Sequence, residues 1–306
     1  MKTVFFGTPG WAVPSLEALV ASGAEVAAVV TNPDRPAGRG MKLQPSPVKR
    51  AALAAGLDVL QPASARDPEL SAALARIRPD VAVVVAYGRI LPGALLAIPR
   101  KGFVNVHFSL LPAYRGAAPV QRALMDGVAV TGVSIMVLTE GMDEGPVLAT
   151  ADTAVDPDET AGEVGERLAA IGARLLIDVL SDYVAGALEP VPQDDGRATY
   201  APKVTPEEAR LQWTEPALAV ANKVRALNPV PGAWTTLGGE RVKLWRVRAA
   251  PRTDLRPGEM LVADALYAGA GDGAVTIEEA QVAGKKRMSG IEMARGLRPA
   301  PGTRFE

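Results

Sequence analysis

Two spacings of hydrophobic residues alternate along the chain up to about residue 185. Short apolar runs are typical of buried strands, and apolar residues three and four positions apart are typical of amphipathic helices. The predicted strands are residues 3–6, 25–31, 58–60, 80–86, 102–107, 132–138 and 147–154, and the predicted helices are residues 11–21, 46–55, 67–77, 119–125 and 159–183. Strands that alternate with helices favour an α/β fold with a doubly wound, mostly parallel sheet.

The spacing changes in the last third of the chain. After a predicted helix at residues 216–227, short runs of alternating apolar and polar residues are separated by Gly and Pro. These runs are residues 233–237, 242–248, 258–266 and 274–279, and they predict a small closed β-barrel of the five-stranded OB type. Pro, Asp and Gly are frequent between the two patterns. We therefore predict a first domain at 1–186, a linker at 187–206 and a second domain at 207–306.

Composition narrows the class of protein. The chain has 306 residues, of which 48% are hydrophobic and 22% are charged, as in an ordinary two-domain globular protein. It has no cysteine, which excludes disulfides, thiolate nucleophiles and Cys-ligated zinc. The N-terminal apolar run is broken at residues 7–9 (GTP), and no apolar run approaches the ~18 residues that span a bilayer. We expect a cytoplasmic protein without a membrane segment.

The net charge of −1 hides an uneven distribution. From Lys203 onward the chain has 16 Lys and Arg against 12 Asp and Glu, so the part before it is acidic. Basic residues surround Trp245 on the predicted barrel and form a further run in a loop. They are Arg241, Lys243, Arg246, Arg248, Arg252, Lys285, Lys286 and Arg287. This pattern fits a nucleic-acid partner, although strand edges rich in Lys and Arg are also common in other proteins.

His107 is the only histidine in the chain, and histidine is the residue type suited to proton exchange near neutral pH. It ends a predicted strand. Asn105 lies two residues earlier, so both side chains point to one face of the sheet. In a parallel sheet, ligands bind outside the carboxyl ends of the strands. An amide that donates to an oxyanion and an imidazole that moves a proton would suit acyl transfer there, whereas the alternative is a polar strand end closed by a turn.

An acidic turn follows the predicted strand at residues 132–138. Asp143 and Glu144 both lie in it, and either carboxylate could orient the His107 ring and stabilise its cationic form. The residues alone do not separate the two candidates. Either one could also be an ordinary turn residue.

Three loops after predicted strands carry further candidates. Residues 109–112 (SLLP) suit an apolar wall for a flat ligand or an anchor for the loop, and residues 83–92 end in a Gly turn whose backbone could bind a heterocycle. The long Pro/Gly-rich loop at 31–47 carries Arg35, Arg39 and Lys42, which suit contact with phosphates. Residues 7–10 (GTPG) lack the G-x-G-x-x-G pattern, so nicotinamide-dinucleotide binding is not expected.

The sequence resembles the 10-formyltetrahydrofolate-dependent formyltransferases over nearly its whole length. The matching segments are FFGTP (5–9), NPDRPAGRG (32–40), PSPVK (45–49), VVVAYGRILP (83–92), NVHFSLLP (105–112), RGAAPVQR (115–122), TGVSIM (131–136) and GMDEG (141–145). The Asn-x-His pair, the SLLP segment and the later Asp mark the family. The RPAGRG loop, the RGAAPVQR segment and the C-terminal barrel are similar to the members that act on tRNA.

The resemblance implies roles for individual residues. Asn105 and His107 would polarise the formyl carbonyl and stabilise the tetrahedral intermediate, with Asp143 supporting His107. The implied folate-binding residues are Ser109, Leu110, Leu111, Pro112, Tyr87, Gly88 and Ile90. The implied tRNA-binding residues are Arg35, Arg39, Lys42, Arg246, Arg248, Lys285, Lys286 and Arg287. Phe108 departs from the family, which more often has glycine there, and we expect it to narrow the pocket.

The activity implied by the resemblance is transfer of a formyl group from 10-formyltetrahydrofolate to the amino group of initiator methionyl-tRNA. The enzyme would act as a monomer and need no metal. Two alternatives stay open. One is a folate-dependent formyltransferase for a small amine, such as a nucleotide sugar or glycinamide ribonucleotide, and the other is a non-catalytic tRNA-binding module.

Overall fold

A computed structural model describes residues 1–37 and 42–306. Contacts within it define two compact units. The first unit comprises Met1–Pro119, Thr131–Thr153 and Gly165–Ala201, and the second comprises Val120–Val130, Ala154–Val164 and Pro202–Glu306. The first unit thus includes residues 187–201 of the predicted linker, and the domain limits proposed from the sequence stay a prediction. In the ranges that the structure covers, no helix is long and apolar enough to cross a membrane.

The first part of the chain alternates strands and helices. The strands are β1 (Lys2–Gly7), β2 (Glu25–Val30), β3 (Arg35–Ala37), β4 (Lys42–Gln44), β5 (Val59–Leu60), β6 (Val81–Val85), β7 (Phe103–His107), β8 (Val130–Val137) and β9 (Val147–Ala154). The helices are α1 (Val13–Ala21), α2 (Pro47–Ala54), α3 (Pro68–Ile77), α4 (Gly93–Leu96), α5 (Pro119–Met125) and α6 (Ala161–Ala185). The short antiparallel β3–β4 pair and α4 were not predicted.

The main sheet has the strand order β5-β2-β1-β6-β7-β8-β9. The pairs from β5 to β7 are parallel and β7 pairs with β8 in the antiparallel sense. The predicted doubly wound, mostly parallel sheet is therefore confirmed. The carboxyl ends of β1, β6 and β7 lie on the same side of the sheet, and the strand order reverses between β1 and β6. Sheets of this kind bind ligands outside the carboxyl ends of the strands at such a reversal.

Local signals explain where these elements begin. Every residue of β6 (VAVVV) is buried, as in a parallel strand covered on both faces. Helix α3 starts at Pro68 after Asp67, whose side chain accepts a hydrogen bond from the Glu69 N–H. Helix α1 begins at Val13, after a 3₁₀ turn, and not at residue 11 as predicted. Pro14 is tolerated only in the first turn of a helix, so it fixes the start of α1.

The later part of the chain forms an antiparallel sheet with two helices. Its elements are α7 (Ala217–Ala226), β10 (Trp234–Leu237), β11 (Glu240–Ala250), β12 (Met260–Val262), β13 (Leu266–Gly269), β14 (Ala274–Val282), β15 (Met288–Ser289) and α8 (Gly290–Leu297). Five strands follow the order β10-β11-β14-β13-β12, and β15 pairs with β14. The second domain, predicted as a small OB-type β-barrel, is confirmed as a curled antiparallel sheet. The single strand predicted at 258–266 is wrong, because a turn at 263–265 divides it into the β12–β13 hairpin.

Candidate functional site

Strand β7 places two polar side chains at the ligand-binding edge of the sheet. Asn105 and His107 alternate with Val106 and are 9% and 5% exposed, respectively. Asn105 lies beside Val84 of β6 and Met136 of β8, so it sits in the middle of the sheet. Buried polar groups of this kind need partners or a function, because their desolvation is costly.

His107 contacts both the loop that follows it and the acidic turn. Its Nε2 lies 2.9 Å from the Tyr114 carbonyl oxygen, and its Nδ1 lies 3.6 Å from Asp143 Oδ2. A carbonyl oxygen only accepts, so Nε2 carries a proton in this contact. Nδ1 then faces a carboxylate, and a second ring proton would complete an ion pair. Glu144 is exposed, so the geometry favours Asp143 of the two candidates that the sequence left open.

Several contacts fix the Asp143 turn, which we define as residues 141–145. Asp143 adopts a φ of 51°, an uncommon region for a non-glycine residue. Its Oδ2 accepts a hydrogen bond of 2.9 Å from the Gly116 N–H. A Cβ at Gly145 would overlap the Val137 carbonyl oxygen, so only glycine allows the turn to approach β8 this closely. The Gly116 N–H therefore holds the Asp143 carboxylate, and Gly145 lets the turn lie against β8.

Ser134 anchors the loop that carries the SLLP segment. Its Oγ donates to the Ser109 carbonyl at 2.7 Å and accepts from the Leu111 N–H at 3.0 Å. The Ser109 hydroxyl donates to the Ala113 carbonyl at 2.6 Å and is fully buried. Leu110, Leu111 and Pro112 remain partly exposed. No local sequence pattern indicates Ser134, which lies opposite His107 on β8.

The predicted folate-binding residues after β6 differ in access. The Tyr87 ring packs in the core against Phe6 at 5.4 Å between ring centres, and burial raises the pKa of its hydroxyl. Gly88 is exposed with a φ of 76°, and Ile90 is 80% exposed. Asn32 donates its side-chain N–H to the Tyr87 carbonyl at 2.9 Å. The Tyr87 ring is therefore part of the core and its carbonyl is bonded to Asn32, and its role in folate binding stays a prediction.

The residues predicted to bind tRNA have different surroundings. Arg35 and Lys42 are exposed on β3 and β4, and Arg39 lies outside the described residues. In the second unit, Lys285 and Lys286 are exposed, and the Arg287 guanidinium lies 3.6 Å from the centre of the Trp245 ring.

Three arginines of that set are paired with carboxylates, and Arg287 lies 3.7 Å from Glu279. Arg246 contacts Glu163 at 2.6 Å, and Arg248 contacts Asp158 at 2.9 Å and Glu278 at 3.1 Å. Both line a cavity of about 250 Å³ within the second unit. To bind phosphate they must first leave these carboxylates, whereas Lys285 and Lys286 face solvent.

Comparisons with known proteins show the family to which the chain is similar. The profile of the formyl transferase family matches residues 1–180, and that of the formyl transferase C-terminal domain matches residues 203–298. A methionyl-tRNA formyltransferase of Streptomyces coelicolor is 51% identical over 99% of both chains, and one of Acidothermus cellulolyticus is 47% identical over the full length of both. HypX from Aquifex aeolicus in complex with tetrahydrofolic acid shares the fold, with a TM-score of 0.67 and 20% identity over 96% of this chain and 47% of that chain.

Proposed function

This chain belongs to the formyltransferase family, and we propose that it transfers a formyl group from 10-formyltetrahydrofolate to the amino group of initiator methionyl-tRNA. The observation that carries the proposal is the buried His107 ring beside the Asp143 carboxylate, on the strand that also bears Asn105. Similarity to methionyl-tRNA formyltransferases over the full chain supports the acceptor. It favours this function over a small-amine formyltransferase and over a binding module without activity.

The edge of the first sheet suits a folate. The partly exposed side chains of Leu110, Leu111 and Pro112 and the exposed Ile90 offer apolar surface to a flat ring. The turn at Gly88 offers backbone groups for the polar edge of a heterocycle. A structural neighbour that binds tetrahydrofolic acid supports a folate as donor. When bound, this donor supplies a formyl group already activated on a nitrogen atom.

Asn105 and His107 then stabilise the charge that develops during transfer. The amine nitrogen of the acceptor forms a bond to the formyl carbon, and the bond from that carbon to the donor nitrogen breaks. Asn105 donates an N–H to the formyl oxygen while that oxygen carries negative charge. The proton lost by the amine passes to the departing nitrogen. Protonated His107 would add positive charge near the formyl oxygen while its two ring N–H groups stay with Tyr114 and Asp143.

Asp143 and Tyr114 position the His107 ring. The Asp143 carboxylate lies 3.6 Å from Nδ1, and the Tyr114 carbonyl fixes the orientation of the ring through Nε2. The Asp143 and His107 side chains are both shielded from water. Electrostatic stabilisation is larger in such a shielded site than in solution.

The acceptor is bound through its phosphates by exposed basic residues. Arg35 and Lys42 on the first unit and Lys285 and Lys286 on the second supply the charge. Arg287 is exposed and adds positive charge, with its guanidinium over the buried Trp245 ring and 3.7 Å from Glu279.

Acceptor competition tests this function. The purified protein is incubated with 10-formyltetrahydrofolate and equal concentrations of initiator methionyl-tRNA, an amino-sugar nucleotide and glycinamide ribonucleotide, and each formylated product is quantified. We expect N-formylmethionyl-tRNA as the main product. Formylation of a small amine with no tRNA product would replace the proposed acceptor, and no formyl transfer at all would leave the binding module as the explanation.

A further inference from the structure

Residues 191–201 belong to the segment predicted as a linker. Within the first unit they form hydrogen bonds to β9 and to the loop that follows β7. The backbones of Val191 and Val147 exchange two hydrogen bonds of 2.8 Å. The Arg115 N–H donates to the Thr199 carbonyl at 2.9 Å, and the Ala201 N–H donates to the Arg115 carbonyl at 2.7 Å. This segment therefore lies against the residues next to Gly116, which binds Asp143.

Gln193 joins this segment to the Asp143 turn. Its amide nitrogen donates to the carbonyl oxygens of Asp143 at 2.8 Å and Gly145 at 2.7 Å. Its amide oxygen accepts from Arg115 Nε at 3.0 Å and Nη2 at 2.9 Å. Both amide hydrogens and the amide oxygen are used, so the side chain has one orientation that satisfies every partner.

Arg115 sets that orientation. It is 2% exposed, and its guanidinium also contacts Asp195 at 2.7 Å. Burial alone would lower the pKa of Arg115, but its bonds and charge interactions with Asp195 and Tyr200 more than compensate and raise it. A permanent buried cation must keep its acceptors, so Arg115 holds the Gln193 oxygen and directs the NH₂ group to the turn.

We propose that Gln193 is a positioning residue for formyl transfer. With Arg115 it fixes the backbone of the Asp143 turn and thereby the separation between the Asp143 carboxylate and the His107 ring. The left-handed backbone of Asp143 persists only where its surroundings determine it, and Gln193 bonds to the carbonyl of that same residue. Only the expected changes in kcat rest on the proposed function.

The test uses two substitutions in the full chain. Gln193→Met keeps the side-chain length but removes both donors and the acceptor, and Gln193→Glu keeps an acceptor for Arg115 but removes the donors. We expect kcat to fall about 10- to 100-fold in each, with KM for folate and tRNA within about twofold, because a small misplacement of a catalytic group is costly. In an Asp143→Asn background, the same substitutions should change kcat by less than about twofold, since coupled residues are not additive.

A second test, by NMR spectroscopy, needs no substrate. The chain has one histidine, so the ring ¹⁵N signals of the labelled protein report His107 without further assignment. Both Gln193 substitutions should move these signals in the direction seen for Asp143→Asn. Tyr183→Phe is the matched control, because it removes a side-chain bond to the Lys101 carbonyl, beyond the other end of β7. It should leave both the signals and kcat unchanged.

Two results would overturn the proposal. One is unchanged ring signals in folded Gln193 variants. The other is an equal loss of kcat with and without the Asp143 carboxylate, which would show that Gln193 supports the fold alone. If the wild-type chain forms no formylated tRNA, the proposed function fails, and the ¹⁵N signals still decide whether Gln193 positions the turn.

Discussion

Asn105 and His107 share a strand, whereas Asp143 comes from a turn much later in the chain. β7 runs antiparallel to β8, so β8 ends beside Val104 near the start of β7. The turn that follows brings Asp143 back to 3.6 Å from His107, the last residue of β7. The three side chains therefore sit in a scaffold of paired strands, which limits their movement. Such preorganised groups contribute to catalysis without a reorganisation cost at the moment of reaction.

Asn105→Ala tests the oxyanion role at this scale. Removing one donor to a developing oxyanion lowers kcat by about 10²–10³-fold in comparable sites, and we expect the same order here with little change in KM. Thr3→Val in β1 is a suitable control, because Thr3 is equally buried and its hydroxyl has no hydrogen-bond partner in the described ranges. A kcat for Asn105→Ala within about threefold of the control would remove this role.

The hydrophobic pattern of the sequence predicted some residues of the candidate site. The positions of the others depend on hydrogen bonds between distant parts of the chain. Asn105 and His107 follow from strand period and the position of a strand end. The choice of Asp143 over Glu144 depends on a left-handed backbone, which a turn sequence does not specify. Gln193 and Ser134 act through bonds to residues about 50 and 25 positions away, so no local pattern indicates them.

Among the elements, those with complete local signals were predicted most accurately. α5 and β9 match their predicted limits, since Pro119 starts the first and apolar alternation marks the second. The β12–β13 hairpin was missed because its turn contains neither Gly nor Pro. α8 was missed although Ser289 and Glu292 form a capping box, a signal that can be found in sequence.

The contact between Arg122 of α5 and Glu208 predicts a pH-dependent contribution to the second unit. Hydrogen bonding to Arg122 lowers the pKa of Glu208, so the stabilisation is present above the unfolded value of about 4.3 and is lost as the pH falls through the lower folded value. Glu208→Gln should lower the unfolding free energy by about 0.5–1 kcal/mol near pH 7, a modest value because the pair is partly exposed.

Urea unfolding of wild type and variant measures this difference. It should disappear toward about pH 2, where Glu208 is protonated in both folded and unfolded chains. Glu207→Gln removes the same charge from a neighbouring exposed residue and should change stability by less than about 0.3 kcal/mol. A difference that persists unchanged at low pH would show that the Arg122 contact is not its source.

At the scale of the molecule, an acidic first part is joined to a basic second part. The sequence predicted both fold classes but placed residues 187–201 in a linker, whereas their contacts belong to the first unit. This segment binds mainly through backbone groups and through the polar side chains of Gln193, Asp195 and Thr199. Hydrophobic periodicity carries no information about such bonds, so Pro- and Asp-rich segments of this kind are easily taken for spacers.

The charge distribution predicts how tRNA binding responds to salt. Lys285→Ala with Lys286→Ala should raise KM for methionyl-tRNA several-fold and reduce the slope of log KM against log salt by about one to two, because two phosphate contacts are lost. KM for the folate should not change. Arg76→Ala with Arg174→Ala removes the same charge from the first unit and should leave the slope as in the wild type. An equal change in both pairs would indicate a non-specific charge effect.

Single-turnover rates of wild type and His107→Ala show whether His107 takes part in formyl transfer. With enzyme in excess over methionyl-tRNA and saturating 10-formyltetrahydrofolate, formation of N-formylmethionyl-tRNA is followed in time. We expect rapid formylation by the wild type and a rate at least about 100-fold lower for His107→Ala, in protein with an unchanged unfolding transition. A His107→Ala rate within about twofold of wild type would contradict a role of His107 in the reaction.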